Sequence, residues 1–140
     1  MSDELKSIID LLKKHGQMKF LEGAKEEQIS DFEKDNSFKF PSKFRDWLLF
    51  SDGGECYLPA GVQFYGIAHK PLIDVNDDSR PDDDYIVIGA LSNGDPVLIK
   101  KESETVSIFN QEAGRIEDDE VYDDFFVFVN DLYAILGIGE

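Results

Sequence analysis

Residues 74–84 read DVNDDSRPDDD, six carboxylates and one base, Arg80, within eleven positions. A second run, residues 112–124, holds seven acids and one base. Carboxylates this dense repel one another, so they need a reason. They can ligate a hard cation, perform acid–base catalysis, face a positive partner, or simply keep a surface solvated. Calcium is tested by position. An EF-hand loop opening at Asp74 needs glycine at its sixth place and glutamate at its twelfth; the sequence has Ser79 and Tyr85 there. Asp74, Asn76 and Asp78 imitate the first three ligands, but the turn and the closing bidentate acid are missing, so no high-affinity calcium site is expected. Zinc needs more nitrogen and sulfur than His15, His69 and Cys56 offer at their spacings. The expectation is that no metal and no cofactor is bound.

Catalytic constellations are equally absent from the sequence. It contains no nucleophile elbow, phosphate-binding loop or dinucleotide fingerprint. Cys56 follows Gly-Gly-Glu in an apolar stretch with no neighbouring cation to lower its pKa, which reads as a structural thiol. His69 beside Lys70 and Pro71 reads as a loop histidine. Carboxylate pairs are too common in this chain for any one to signal acid–base work. A non-enzymatic protein is expected.

The charge distribution narrows the partner. The 140 residues carry 30 acids and 14 bases, a formal net charge of -16. Residues 1–50 hold ten acids and nine bases, whereas residues 51–140 hold twenty acids and five bases. Such a field argues against nucleic acid, whose phosphates need lysine and arginine, and favours a cationic partner whose encounter it would speed. The competing reading of any acidic run is solubility alone. With 41% hydrophobic residues and 11 Phe the composition is that of a folded domain rather than a disordered chain. No apolar run approaches the roughly 18 residues of a membrane span, and the first residues lack the pattern of a signal peptide. The single cysteine permits no internal disulfide. Together these point to a cytoplasmic protein with no membrane contact.

The elements that must hold the acids are readable from periodicity. Leu5, Ile8, Ile9 and Leu12 fall on one face of a helix over residues 3–14, capped by Ser2 or Asp3 and stopped at Gly16. Ile29 and Phe32 mark a second helix over about residues 25–35. A third follows Pro41, with Ser42 as N-cap, Phe44, Trp47 and Leu48 as its apolar face, and Gly53-Gly54 as its end. The Trp47 register favours core packing over a partner contact. Segments 55–58 and 62–66 read as short strands about the Pro59-Ala60-Gly61 turn. Residues 85–91, YIVIGAL, form an unbroken apolar run that suits a central strand covered on both faces. Asn93-Gly94 then supplies two positive-φ positions for a tight hairpin, and Pro96 must open or edge the next strand. Val106 and Ile108 alternate with Thr105 and Ser107 in a half-buried strand. Val121, Phe125, Phe128, Val129, Leu132 and Leu136 form the stripe of a closing helix over residues 121–136. The order implies an α+β fold: N-terminal helices, a central, mainly antiparallel sheet, and a C-terminal helix packed on that sheet, within one domain spanning residues 1–140.

These pieces, in order, resemble a family. Ile29-x-x-Phe32-Glu33 precedes Phe40-Pro41, then Phe44, Trp47-Leu48 and Ser51-Asp52-Gly53-Gly54. Phe64-Tyr65-Gly66, Ile86-Val87-Ile88-Gly89, Asn93-Gly94-Asp95 and Asp123-Asp124-Phe125-x-x-Phe128-Val129 follow. The series is similar to the SUKH superfamily, of the type named for the fungal Smi/Knr cell-wall regulator, over about residues 25–133. Phe40 stands where leucine is usual and Asp52 where asparagine often precedes the glycines. The resemblance implies an α+β domain without catalytic residues. It further implies that many bacterial members are immunity proteins that neutralise a cognate toxin, often a nuclease, by binding it. A nuclease has a basic cleft for phosphate, and an acidic surface can fill it. The expected contacts are therefore Asp74, Asp77, Asp78, Asp82, Asp83 and Asp84 with Glu117, Asp118, Asp119 and Glu120. The alternative is a regulatory or scaffold module that binds a host protein.

Overall fold

The computed structural model describes residues 3–57, 61–67, 85–92 and 94–135. Helix α1, Asp3–His15, buries the expected stripe of Leu5, Ile8, Ile9 and Leu12. Strand β1, Met18–Lys19, then precedes helices α2, Glu26–Asn36, and α3, Ser42–Phe50. Six strands follow: β2 Gly54–Cys56, β3 Val62–Phe64, β4 Tyr85–Leu91, β5 Pro96–Lys100, β6 Val106–Asn110 and β7 Arg115–Tyr122. Helix α4, Phe125–Ile135, comes last. The seven strands form one antiparallel sheet in sequence order, β1 to β7. Each strand pairs with the one before it, so the sheet is a meander. The α+β fold expected from the residue pattern is the fold observed.

Alternate residues of the central strands enter different cores. Ile86, Ile88, Val97, Ile99, Val106 and Ile108 join the buried side chains of all four helices. Val87, Leu98 and Phe109 form a smaller cluster with Tyr65, Tyr85 and Ile116. Since side chains alternate across a strand, these clusters lie on opposite faces. Strand β4 is interior and buried on both, which is why its sequence is continuously apolar. Trp47, fully buried, packs edge-on or tilted against Phe20, Phe50, Phe64 and Phe125 at 5.6–5.9 Å between ring centroids.

Several local expectations need correction. Helix α4 does not start at residue 121: Val121 and Tyr122 end β7, and the helix opens at Phe125. Asp124 decides the boundary. Its Oδ1 accepts the Val127 N–H at 2.9 Å, an N-cap bond to the third helical residue. The sheet then claims Val121 by pairing it with Ser107. Helix α3 has Pro41 at its N-cap, not Ser42. The capping acceptor is Glu104, 62 residues away, whose carboxylate takes the Ser42 N–H at 2.9 Å and the Ser42 hydroxyl at 3.1 Å. The same helix ends at Ser51 in extended conformation, before the two glycines. Gly53 has φ +96°, and a Cβ there would meet the Phe64 carbonyl at 2.7 Å, so the pair serves the strand crossing rather than the helix end. Strands β2 and β3 are shorter than expected.

The β4–β5 hairpin is also longer than a two-residue turn. The Leu91 carbonyl accepts from the Gly94 N–H and the Leu91 N–H donates to Asp95, each at 2.9 Å, so three residues lie between the paired ends. Gly94 takes φ +95°, as the glycine closing a three-residue loop does. Asn93 lies outside the described residues, as do Leu136 and the Pro59-Ala60 part of the β2–β3 turn.

Candidate partner-binding surface

Strand β7 is the last in the sheet, and among the described residues β6 is its one neighbour. Its register contains the decisive irregularity. Ser107 pairs with Val121 and Phe109 pairs with Ile116. Ile108 alone therefore faces the four residues Glu117, Asp118, Asp119 and Glu120. Four consecutive carboxylates cannot alternate into a core without burying charge. At an edge the surplus residues bow outward without disturbing a second ladder.

Within the bulge the acids differ. Glu117 lies 3.4 Å from the Arg115 Nε in an exposed pair that contributes little. Asp118 and Asp119 are exposed. Glu120 is partly buried, and its Oε2 is withdrawn from solvent with no hydrogen-bond partner among the described residues. Burial first, then the negative charges of Asp119, Asp95 and Glu117, push its carboxyl above the ordinary glutamate range. Burial and the charges of Glu120, Asp131 and Asp119 raise the Tyr122 phenol in the same way. Asp95 reaches this group through topology. Its Oδ1 accepts the Gln111 N–H at 3.2 Å, which ties the β4–β5 loop to the start of the β6–β7 loop. Val121, beside Glu120, is 47% exposed, and Val127, in the first turn of α4, is 38% exposed.

Asp124 belongs to the fold instead. Besides the cap it pairs with the Lys43 ammonium at 3.0 Å, and Lys43 also lies 3.5 Å from Glu4. One lysine of α3 thus links α1 and α4. Burial opposes ionisation of Asp124, but the Val127 N–H and Lys43 outweigh it and hold its carboxyl below the usual aspartate range.

The arrangement can attract and hold cationic side chains. Among the described residues no group of three His, Cys, Asp or Glu is placed to bind a metal. Cys56 is fully buried, and burial pushes its thiol up to about 12, far from a nucleophile's range. Of the acids expected to make contact, Glu117, Asp118, Asp119 and Glu120 come together on the bulge. Asp74, Asp77, Asp78, Asp82, Asp83 and Asp84 lie outside the described residues, as does the Asp74 loop tested for calcium. Asp95 and the exposed Val121 were not anticipated. Asp95 stands in the Asn93-Gly94-Asp95 motif, but nothing local places it near the quartet; it joins the group through the β4–β5–β6 register.

The family profile described as SMI1 / KNR4 family (SUKH-1) matches residues 23–131. The chain belongs to this family. No curated protein matches its sequence. The SUKH-1 region covers α2 through most of α4, including the whole of β7. Its motif residues are engaged in folding. The Gly53 carbonyl accepts both the Trp47 indole N–H at 3.1 Å and the Ser51 hydroxyl at 2.8 Å. Ser51 Oγ in turn accepts the Leu21 N–H at 2.9 Å, and Asp52 Oδ1 accepts the Ile67 N–H at 2.6 Å. Asp52 is almost fully buried in that role. None of these groups is left over for a ligand. Among the described residues no helix is long and apolar enough to cross a membrane.

Proposed function

We propose that this SUKH-1 protein is a cytoplasmic immunity protein that binds a cognate basic toxin domain and blocks its working surface without catalysis of its own. The observation that carries the reading is the β7 bulge, where four acids face a single residue of β6 and Glu120 holds a carboxylate oxygen with no partner among the described residues. Inside a free protein that oxygen is a cost, since a buried polar atom without a hydrogen bond is destabilising. A lysine or arginine delivered by a partner would satisfy it. Val121, the next residue of the same edge strand, is exposed and adds apolar surface to it, and interfaces combine apolar contact with polar groups. A toxin that acts on nucleic acid must present a basic cleft, so it is the partner class that best complements the patch. The acids of residues 74–84 add to the field that would steer such a partner.

The experiment begins with the reading frame beside the gene. Its product's C-terminal domain is expressed with and without this protein, and growth is measured. Rescue by the parent, with stoichiometric binding in a purified mixture, supports the reading. A toxic neighbouring domain that neither binds nor is neutralised would refute it.

A further inference from the structure

Strand β1 ends the sheet on the side away from β7 and is two residues long, with Met18 opposite Cys56 and Lys19 opposite Glu55. Just past this pair, the Tyr57 N–H donates to a side chain: it meets the Met18 Sδ at 3.3 Å. A thioether is a weak acceptor, and it stands here at a demanding place. Tyr57 has φ +61°, a left-handed conformation that a bulky residue keeps only where its surroundings enforce it. The residue is buried, and its ring lies over Gly16, where a Cβ would come within 2.6 Å of the Tyr57 Cδ1 and 3.6 Å of the Met18 methyl. Gly16, Met18 and Tyr57 therefore interlock. We propose that the Met18 thioether is an oxidation-sensitive latch, whose conversion to the sulfoxide frees the Tyr57 corner and opens the β1–β2 pair.

Hydrogen peroxide is the co-reactant. A sulfur lone pair attacks one peroxide oxygen, the O–O bond breaks, and the second oxygen leaves as water with the proton of the first. The thioether is oxidised by two electrons and the peroxide is reduced by two. Met18 is half-buried on an edge strand, within reach of a small oxidant. The product is polar and chiral where the parent side chain is apolar and flexible. Met18 packs against the helix-side core, so its sulfoxide oxygen must find water or a donor. Turning toward water withdraws the sulfur from the Tyr57 N–H.

The neighbouring thiol does not compete for the oxidant, so it can report the change. Cys56 lies across the ladder from Met18 and is fully buried. Thiol oxidation runs through the thiolate, and burial pushes this thiol up to about 12. Thioether oxidation needs no deprotonation. Local stability is lowest where few contacts hold an element, and β1 has only its two pairing positions on β2. Loss of the sulfur contact therefore exposes Cys56 while the rest of the sheet stays paired. The latch lies at the opposite end of the sheet from β7 and does not depend on what β7 binds.

The test treats the full chain with hydrogen peroxide, removes the excess with catalase, and maps Met1, Met18 and Cys56 by peptide mass spectrometry. Met18 sulfoxide with Cys56 still reduced is expected. The rate at which a thiol reagent labels native Cys56 should then rise at least about tenfold. Amide NMR signals should move at β1, β2 and Tyr57 while those of β4 to β7 stay in place. Enzymatic reduction of the sulfoxide should restore the parent rate. The Met18→Leu variant, given the same oxidant, should label at the same rate before and after treatment, which separates Met18 from Met1. The proposal is overturned if Met18 stays a thioether where Met1 is converted, if its conversion leaves the labelling rate unchanged or lowers it, if the Met18→Leu rate rises equally, or if the whole chain unfolds.

Discussion

Neutralising the β7 bulge tests the proposed interface directly. The perturbation is Glu117→Gln, Asp118→Asn, Asp119→Asn and Glu120→Gln together, which removes four charges and keeps side-chain size. Ile116 and Val121, which flank the quartet, face β6 residues two strand steps of about 3.3 Å apart, so the quartet lies within about one Debye length at 0.1 M salt and acts on a partner as one charged patch. If each acid meets a partner cation at the rim, each contributes roughly 0.2–1 kcal/mol. The quadruple variant should then lose about 1–4 kcal/mol, a weakening between about fivefold and about 1,000-fold. Most of that loss should appear in the association rate, because rim charges steer encounter more than they hold the complex. The assay is stopped-flow association with the cognate toxin domain at about 50 mM and about 200 mM salt, where screening lengths differ about twofold. The parent should slow steeply with salt and the variant measurably less, since it keeps the acids of residues 74–84. Thermal stability of the free variant should rise, because like charges and a buried carboxylate are removed. Parent-like rates, salt dependence and cell protection in the variant would refute the reasoning and leave the quartet as a guard against edge-to-edge pairing.

Four further outcomes follow from individual residues. Glu120→Gln alone should raise the melting temperature at neutral pH. The folded Glu120 binds its proton more tightly than the unfolded chain does, so the parent recovers stability as pH falls through the raised folded value and the gap to the variant closes; melting curves from pH 4 to pH 7 check this. Asp124→Ala removes the α4 cap and the Lys43 partner and should cost about 1 kcal/mol or more, with Asp124→Asn intermediate in chemical denaturation. The Asp124 carboxyl is held low, so its contribution is present above the ordinary aspartate value near 3.8 and lost as pH falls through the folded value. Glu104→Ala should cost about 1 kcal/mol in the same assay, since it uncaps α3 from the β5–β6 loop. Cys56 should resist a thiol reagent in the native protein and react at once in denaturant; rapid native labelling would contradict its burial.

What was legible in the sequence followed local physics. The stripes of α1 and α3, the buried run of β4 and the Pro96 strand start depend on side-chain period and backbone chemistry, and they appear as read. The errors fall where a distant residue overrides a local signal. Ser42 has the chemistry of an N-cap, but Glu104 arrives from the β5–β6 loop and takes that role. Val121 fits the stripe of α4 by spacing, yet pairing with Ser107 and the Asp124 cap assign it to β7. The whole of β7 escaped notice because its centre reads EDDE, four acids that break any apolar alternation between Ile116 and Val121. It is a strand only because β6 offers an unpaired edge. The candidate surface was legible as charge and not as shape: the quartet was visible in the sequence, while the bulge, Asp95 and the orphaned Glu120 oxygen depend on register.

The placement of the two kinds of residue has a consequence for how such a protein can change partners. Trp47, Ser51, Asp52 and Gly53, which carry the family resemblance, are bonded to one another or to neighbouring backbone, and substitution there strikes the fold first. Glu117, Asp118, Asp119 and Glu120 stand outside that series, on a strand with one ladder neighbour. Residues added or exchanged in an edge bulge disturb one row of hydrogen bonds instead of two, and here they already bow away from it. Charge and shape on β7 can therefore vary at small cost to stability, while the Trp47–Gly53 cluster keeps the sheet and helices fixed beneath them. If β7 is the contact surface, specificity would lie in side chains that the core does not use.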